Sequence, residues 1–274
     1  MKHLPYERQG FSQNDETGII EYMLAGMADP NQTFVEIGFG DGTQNMTLDL
    51  LHQGYSGVGI DGWDWDPSVT ERWPDQLIKI QQMISPGDVA QYIPEQYWQP
   101  DFFSLDIDSF DYEVASALLK SGFRPATVCC EINKHFGNDW ASFPYVENPV
   151  KKVTYNRKFH YGCSLSKYKD LWSQYGYEFF TFDTRAINAF WFHPDRVSID
   201  LTVPRKQTLD EIDTAIIKQQ IADHQYWNNK QKEISIEWLA SLEELVRLRE
   251  EEKALHAKSN ESKYPSITAT HFSL

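Results

Sequence analysis

The chain has 274 residues, 41% hydrophobic and 14% aromatic, enough for one substantial domain with an appendage or for two small domains. That composition excludes a wholly disordered chain. The formal net charge of −15 argues against sequence-independent binding to nucleic acid, which rests on Lys and Arg neutralising phosphates.

Lys151, Lys152, Arg157 and Lys158 are the nearest thing to a basic patch and read as a solvated loop. Cys129, Cys130 and Cys163 make neither a disulfide framework nor a C-x-x-C metal spacing. Met1 to Tyr6 lead into polar sequence rather than an apolar signal segment, and no apolar stretch is long enough to span a bilayer. The expectation is a cytoplasmic protein with no membrane partner.

In chain order, short apolar runs alternate with helical patterns, which points to βαβ units around a mostly parallel sheet. Thr33 to Ile37 is the first strand, followed by a glycine turn and a helix over Gln44 to Gln53. Gly57 to Asp61 is the second strand and Leu77 to Met83 a weak third. Asp101 to Asp108 is the fourth, followed by a helix over Tyr112 to Ser121. Ala126 to Asn133 is the fifth.

Periodicity then fails across 134–163, where many aromatic residues mix with polar ones, as expected of an ordered aromatic lid. A helix over Ser164 to Tyr175 precedes strands at Tyr177 to Phe182 and Asn188 to His193. The short turn Asp183-Thr184-Arg185 between them predicts an antiparallel pair. The Rossmann-like domain is thus expected to occupy 1–204. Residues 205–258 form a helical extension, in which Trp238, Leu242 and Leu245 repeat at helical spacing. Its first part is expected to dock on the domain, and its second could pair with another copy to make a homo-oligomer. Residues 259–274 form a disordered tail.

The chemistry centres on Glu36-Ile37-Gly38-Phe39-Gly40-Asp41-Gly42. Gly38, Gly40 and Gly42 let a backbone turn approach a cofactor where side chains would clash. Glu36 is placed for the ligand's amino or ribose part. About 20 residues on, Asp61 ends the second strand, where a carboxylate can accept ribose hydroxyls. A dinucleotide site has similar geometry, but pyrophosphate beside Glu36 and Asp41 would be repelled. A sulfonium cofactor with an ammonium group suits the acids better.

Residues 35–42 resemble the first motif of class I S-adenosylmethionine methyltransferases. Phe11 to Ile20, Phe103 to Tyr112, Tyr161 to Leu165 and Asn188 to Phe192 resemble segments of the FkbM-type group. The resemblance runs from about residue 11 to 196. It implies a Rossmann-like methyltransferase sheet with an antiparallel last strand, and O-methylation of a small hydroxylated acceptor such as a sugar or secondary metabolite.

Asp106 and Asp108 lie two apart on one expected strand, and Glu131 and Asn133 two apart on the next. Together they would suit Mg²⁺ or Mn²⁺, in an arrangement that resembles metal-dependent O-methyltransferases. In those enzymes the last pair is adjacent, whereas Ile132 separates Glu131 from Asn133 here, so metal and no metal both stay open. Without metal, Asp108 and Asp111 would cap the next helix, and Asp106 would face cofactor or substrate. Asp106, His135 and His160 are the candidate catalytic groups, the histidines as general bases. Trp63 and Trp65 could stack on an adenine or anchor a loop. The alternatives are an NAD(P)-dependent oxidoreductase on the same fold and a non-catalytic scaffold with a degenerate domain.

Overall fold

The structure is a computed structural model that describes residues 6–137, 139–142, 145 and 162–209, without the side chains of Thr70 and His135. The expected helical extension and tail (205–258 and 259–274) lie outside these residues from 210 onward. Most of the expected lid (134–163) lies outside them too.

The elements in chain order are α1 (Glu16–Leu24), β1 (Thr33–Ile37), α2 (Leu48–His52), β2 (Ser56–Asp61), α3 (Pro67–Arg72) and β3 (Leu77–Gln81). Next come β4 (Phe102–Leu105), α4 (Asp111–Lys120), β5 (Thr127–Glu131), α5 (Leu165–Ser173), β6 (Glu178–Phe182) and β7 (Asn188–Phe192). The seven strands form one sheet in the order β3-β2-β1-β4-β5-β7-β6. All neighbours are parallel except β7, which runs antiparallel to both β5 and β6. This is a Rossmann-like, mostly parallel sheet, with the order and the antiparallel strand that the sequence resemblance implies. The chain leaves β1 in one direction and later returns to β4 on its other side. Open α/β sheets bind ligands in the crevice such a reversal creates.

Every residue of β4, β5 and β7 is buried, because both sheet faces are covered there. One core, including Val35, Phe103, Leu118 and Trp172, lies against α4 and α5. The other, including Ile19, Phe34, Leu51 and Phe180, lies against α1 and α2. Alternation along β5 sends Cys130 into the first core and Cys129 into the second. Burial pushes both thiols well above their usual range.

Several expectations change in detail. The helix foreseen from Gln44 begins only at Leu48, because the Asn45 side chain accepts the N–H groups of Thr47 and Leu48. α1 went unforeseen because seven of its nine residues are buried, leaving no polar face to set a period. α3 is started by Asp66, which accepts the Ser68 N–H at 2.8 Å, with Pro67 in the first turn. β4 stops at Leu105 and β5 at Glu131, so neither Asp106–Asp108 nor Glu131–Asn133 is an alternating strand pair.

The β6–β7 turn is organised by Asp183, fully buried, whose carboxylate accepts the N–H groups of Arg185, Ile187 and Asn188. Asp15, just before α1, accepts both the N–H and the hydroxyl of Thr184. Asp183→Ala would leave three backbone donors without their acceptor. We expect it to lower unfolding free energy by about 2–4 kcal/mol in urea titration, and an effect under 0.5 kcal/mol would contradict this account.

Candidate functional site

The carboxyl ends of β1, β2 and β4 frame a crevice floored by the glycine turn. Gly38 has φ +89°, and a Cβ there would lie 1.5 Å from the Asp106 carbonyl oxygen. No other residue fits. Its N–H donates to the Ile60 carbonyl at 2.9 Å, so it ties β1 to β2 while abutting the end of β4. Gly40, at φ +63°, differs: a Cβ there would meet nothing within 4 Å. The turn therefore presents open space where a ligand could approach the backbone.

Asp61 stands at the end of β2 and is only partly buried. Its Oδ2 accepts the Gly40 N–H at 2.7 Å and its Oδ1 accepts the Trp63 N–H at 2.8 Å. Those bonds fix its orientation, and each oxygen keeps a lone pair for a ligand hydroxyl.

Glu36 lies beneath the turn, 3% exposed. Its oxygens accept the Met46 N–H at 3.0 Å and the Thr47 hydroxyl. It therefore holds the 38–47 loop against β1. Burial pushes its carboxyl up to about 7, against the lowering effect of those two donors. The residues that fix this loop, Asn45 and Thr47, were not singled out from sequence. Asn45, three places before Leu48, was the readable signal.

The two tryptophans after Asp61 divide the roles left open for them. Trp65 is buried and stacks on Phe39, ring centres 4.3 Å apart, with Lys79 above it. It anchors the loop. Trp63 is 64% exposed at the rim of the crevice, where a ligand ring could reach it.

Beyond β4 the chain turns sharply. Asp108 adopts φ +55° and is exposed. Asp111 opens α4, and its carboxylate accepts the N–H groups of Ile107 at 2.8 Å and Ser109 at 3.0 Å. Asp111 thus closes the 106–109 loop. One carboxylate oxygen from each of Asp106, Asp108 and Glu131 lies within 4.8 Å of the others. Burial, followed by the neighbouring carboxylates, raises both Asp106 and Glu131 well above the ordinary carboxylate range. Asn133 is fully buried beside Glu131: a Cβ at Gly162 would lie 3.9 Å from Asn133 Cβ and 4.0 Å from Glu131 Oε2. Asp106, Asp108 and Glu131 are thus brought together, the two aspartates by the loop after β4 and Glu131 by the end of β5. His135 lies in a short 3₁₀ turn at Lys134–Phe136; its side chain, and all of His160, lie outside the described residues.

A second polar cluster was not foreseen. Lys167, 8% exposed, donates to the Ser142 hydroxyl at 2.7 Å and sits over the rings of Tyr112 and Trp140. It fastens the start of the expected lid to α4 and α5.

No family model matches the chain, and no curated protein matches it. Solved structures with similar folds include a Lactococcus lactis protein provisionally called a hemolysin. It is 15% identical with a TM-score of 0.45, over 78% of this chain and 97% of that one. A Burkholderia thailandensis 1,6-didemethyltoxoflavin-N1-methyltransferase, solved with S-adenosylhomocysteine, is 11% identical with a TM-score of 0.42, over 68% and 78%. The plantazolicin methyltransferase BamL, also solved with S-adenosylhomocysteine, is 15% identical with a TM-score of 0.38, over 60% and 62%. The assignment of the sheet stands on the strand order and directions given above.

The buried acids give the chain a definite response to pH. Burial raises Glu36 to about 7, and burial with the nearby Glu16 charge raises Asp183 to about 7. A carboxyl whose folded pKa exceeds its unfolded one binds more protons in the folded state. Its stabilising contribution is full below about pH 4 and is lost as pH rises through about 7. The melting temperature should therefore fall between about pH 5 and pH 8 in scanning calorimetry. A midpoint that climbs over that interval would refute the assignment.

Proposed function

We propose that the chain is an S-adenosylmethionine-dependent methyltransferase, FkbM-like in its segment pattern, that methylates a hydroxyl of a small acceptor such as a sugar or secondary metabolite. The observation that carries this reading is the bond between Asp61 and the Gly40 N–H. It sets a carboxylate beside an open glycine turn at the reversal point of the sheet.

The charge of the crevice favours a sulfonium cofactor over a dinucleotide. Glu36, Asp61 and Asp106 surround the turn, and a pyrophosphate there would meet carboxylates. When bound, the cofactor supplies an electrophilic methyl group on a positively charged sulfur. Gly40 gives its amino-acid part room against the backbone, Gly38 and Gly42 shape the turn by packing against Asp106 and against Phe39 and Val69, and Asp61 accepts its ribose hydroxyls. Glu36 acts through the loop it holds. Asp106, at the junction of the two halves of the sheet, faces the reacting centre.

Methyl transfer of this kind is an in-line displacement, so holding the acceptor oxygen opposite the sulfur supplies much of the acceleration. Asp106, with His135 and His160 as further candidates, would take the acceptor's proton. Asp106, Asp108 and Glu131 are the residues that would hold Mg²⁺ or Mn²⁺, which would supply Lewis-acid activation of the hydroxyl.

S-adenosylhomocysteine should raise the melting temperature of the protein in a concentration-dependent way. Asp61→Ala should weaken its affinity by about tenfold or more in titration calorimetry, as two ribose bonds are lost. A thermal shift with NADH and none with S-adenosylhomocysteine would instead select the oxidoreductase.

A further inference from the structure

Residues 6–12 lie in no helix or strand, yet they are held along their length. At one end the Tyr6 hydroxyl donates to the Pro204 carbonyl at 3.0 Å. Beside it Glu7 and Lys206 form an ion pair with both side chains buried, and the Lys206 N–H donates to the Thr181 hydroxyl at 3.1 Å. In the middle the Arg8 carbonyl accepts the Gly18 N–H at 2.9 Å. A Cβ at Gly18 would lie 2.2 Å from the Tyr6 carbonyl oxygen, so the segment runs flat against α1.

The other end lands on α2. Asp49 Oδ2 accepts the Phe11 N–H at 2.8 Å and the Thr17 hydroxyl at 2.9 Å. Thr17 also shares a hydrogen bond of 2.9 Å with the Ser12 hydroxyl, and both residues are 1% exposed. A Cβ at Gly10 would lie 2.2 Å from Asp49 Oδ2 and 2.6 Å from Thr17 Oγ1, so the backbone itself presses on this junction. The Phe11 ring stacks on His52, ring centres 5.1 Å apart.

α2 follows directly on the 38–47 loop and has only five residues. Helices shorter than about 12–15 residues do not hold their shape unaided. Leu48, Leu50 and Leu51 bury the inner face of α2, while Asp49 and His52 on its outer face both meet the N-terminal segment. Glu36 fixes the end of the loop from the sheet side, through Met46 and Thr47.

We infer that residues 6–12 are a clamp that presets the proposed cofactor loop, with Asp49 the positioning residue it grips and the Glu7–Lys206 pair its far anchor. This rests on the methyltransferase reading and adds how affinity at that site is controlled. With the clamp closed, α2 and the end of the loop hold one arrangement, so little ordering is left for binding to impose. With the clamp released, the binding-ready arrangement is a fraction of the population, and apparent affinity falls by that fraction. The far anchor makes cofactor affinity depend on residues 204–206, which lie beyond β7 in the chain.

The test uses the full chain, with S-adenosylhomocysteine as probe and hydrogen exchange as a readout that needs no ligand. Asp49→Ala removes the acceptor of both bonds, and Gly10→Ala drives a methyl group into the same carboxylate. Each should weaken S-adenosylhomocysteine by about tenfold in titration calorimetry, at a temperature where circular dichroism shows the variant folded. Each should also speed exchange of the amides at 46–51 while those of β4 and β5 keep wild-type protection. The double variant should lose no more than the weaker single, because both break one contact. Glu7→Gln combined with Lys206→Met leaves no buried charge unpaired and should weaken the probe by about threefold. Gly10→Ala lies outside every helix and strand, so it keeps the test valid should Asp49→Ala fail to fold.

Wild-type affinity in the folded single variants overturns the proposal. So does faster exchange spread evenly over β4 and β5, which marks a general loss of stability, or losses that multiply in the double variant, which mark separate contacts. Wild-type affinity after Glu7→Gln with Lys206→Met overturns the far anchor. Failure of the wild-type chain to bind S-adenosylhomocysteine, measured first, would strike the methyltransferase reading separately, and the exchange pattern would then decide the clamp.

Discussion

The contact between Gly38 and the carbonyl of Asp106 is the constraint on which the site depends. Three strands end within reach of one residue that has no side chain. Its N–H is held by β2 and its Cα is pressed against the exit of β4. A larger residue would force β1 and β4 apart at the place where the sheet reverses. The crevice, the turn that floors it and the path of Asp106 are thus set by the absence of one carbon atom.

Around that contact, carboxylates serve two different purposes. Glu36, Asp111 and Asp183 are internal acceptors that gather backbone N–H groups and shape loops, so their charge is spent within the chain. Asp61, partly exposed at the end of β2, instead faces the crevice while accepting the Gly40 and Trp63 N–H groups. The same side-chain type therefore acts as scaffold where it is buried and faces the crevice where it is partly exposed. The proposed sulfonium ligand is the chemistry such a surface would select.

The sheet was largely legible because its strands are short apolar runs between turn residues, and each observed strand lies within the range expected for it except β2, which starts one residue earlier at Ser56. The glycine turn and Asp61 were legible for the same reason, since both sit at strand ends. α1 was hidden because seven of its nine residues are buried, and the delayed start of α2 by an Asn side chain that competes with the backbone. The Asp106, Asp108 and Glu131 cluster was foreseen, but through strand alternation that the structure does not have. A left-handed residue at 108 and the hold of Asp111 on the loop bring the carboxylates together instead. Long-range partners such as Asp15 with Thr184, or Ser142 with Lys167, have no local signature and could not be read from spacing.

The adjacent thiols of Cys129 and Cys130 carry one more consequence. They share a strand but lie in different layers, one on the α1–α2 side and the other on the α4–α5 side. Burial keeps both protonated and unreactive. Each therefore becomes a chemical clock for its own layer, silent until that layer opens. Two neighbouring atoms of sulfur can report whether the two halves of the sandwich unfold as one cooperative unit or in sequence.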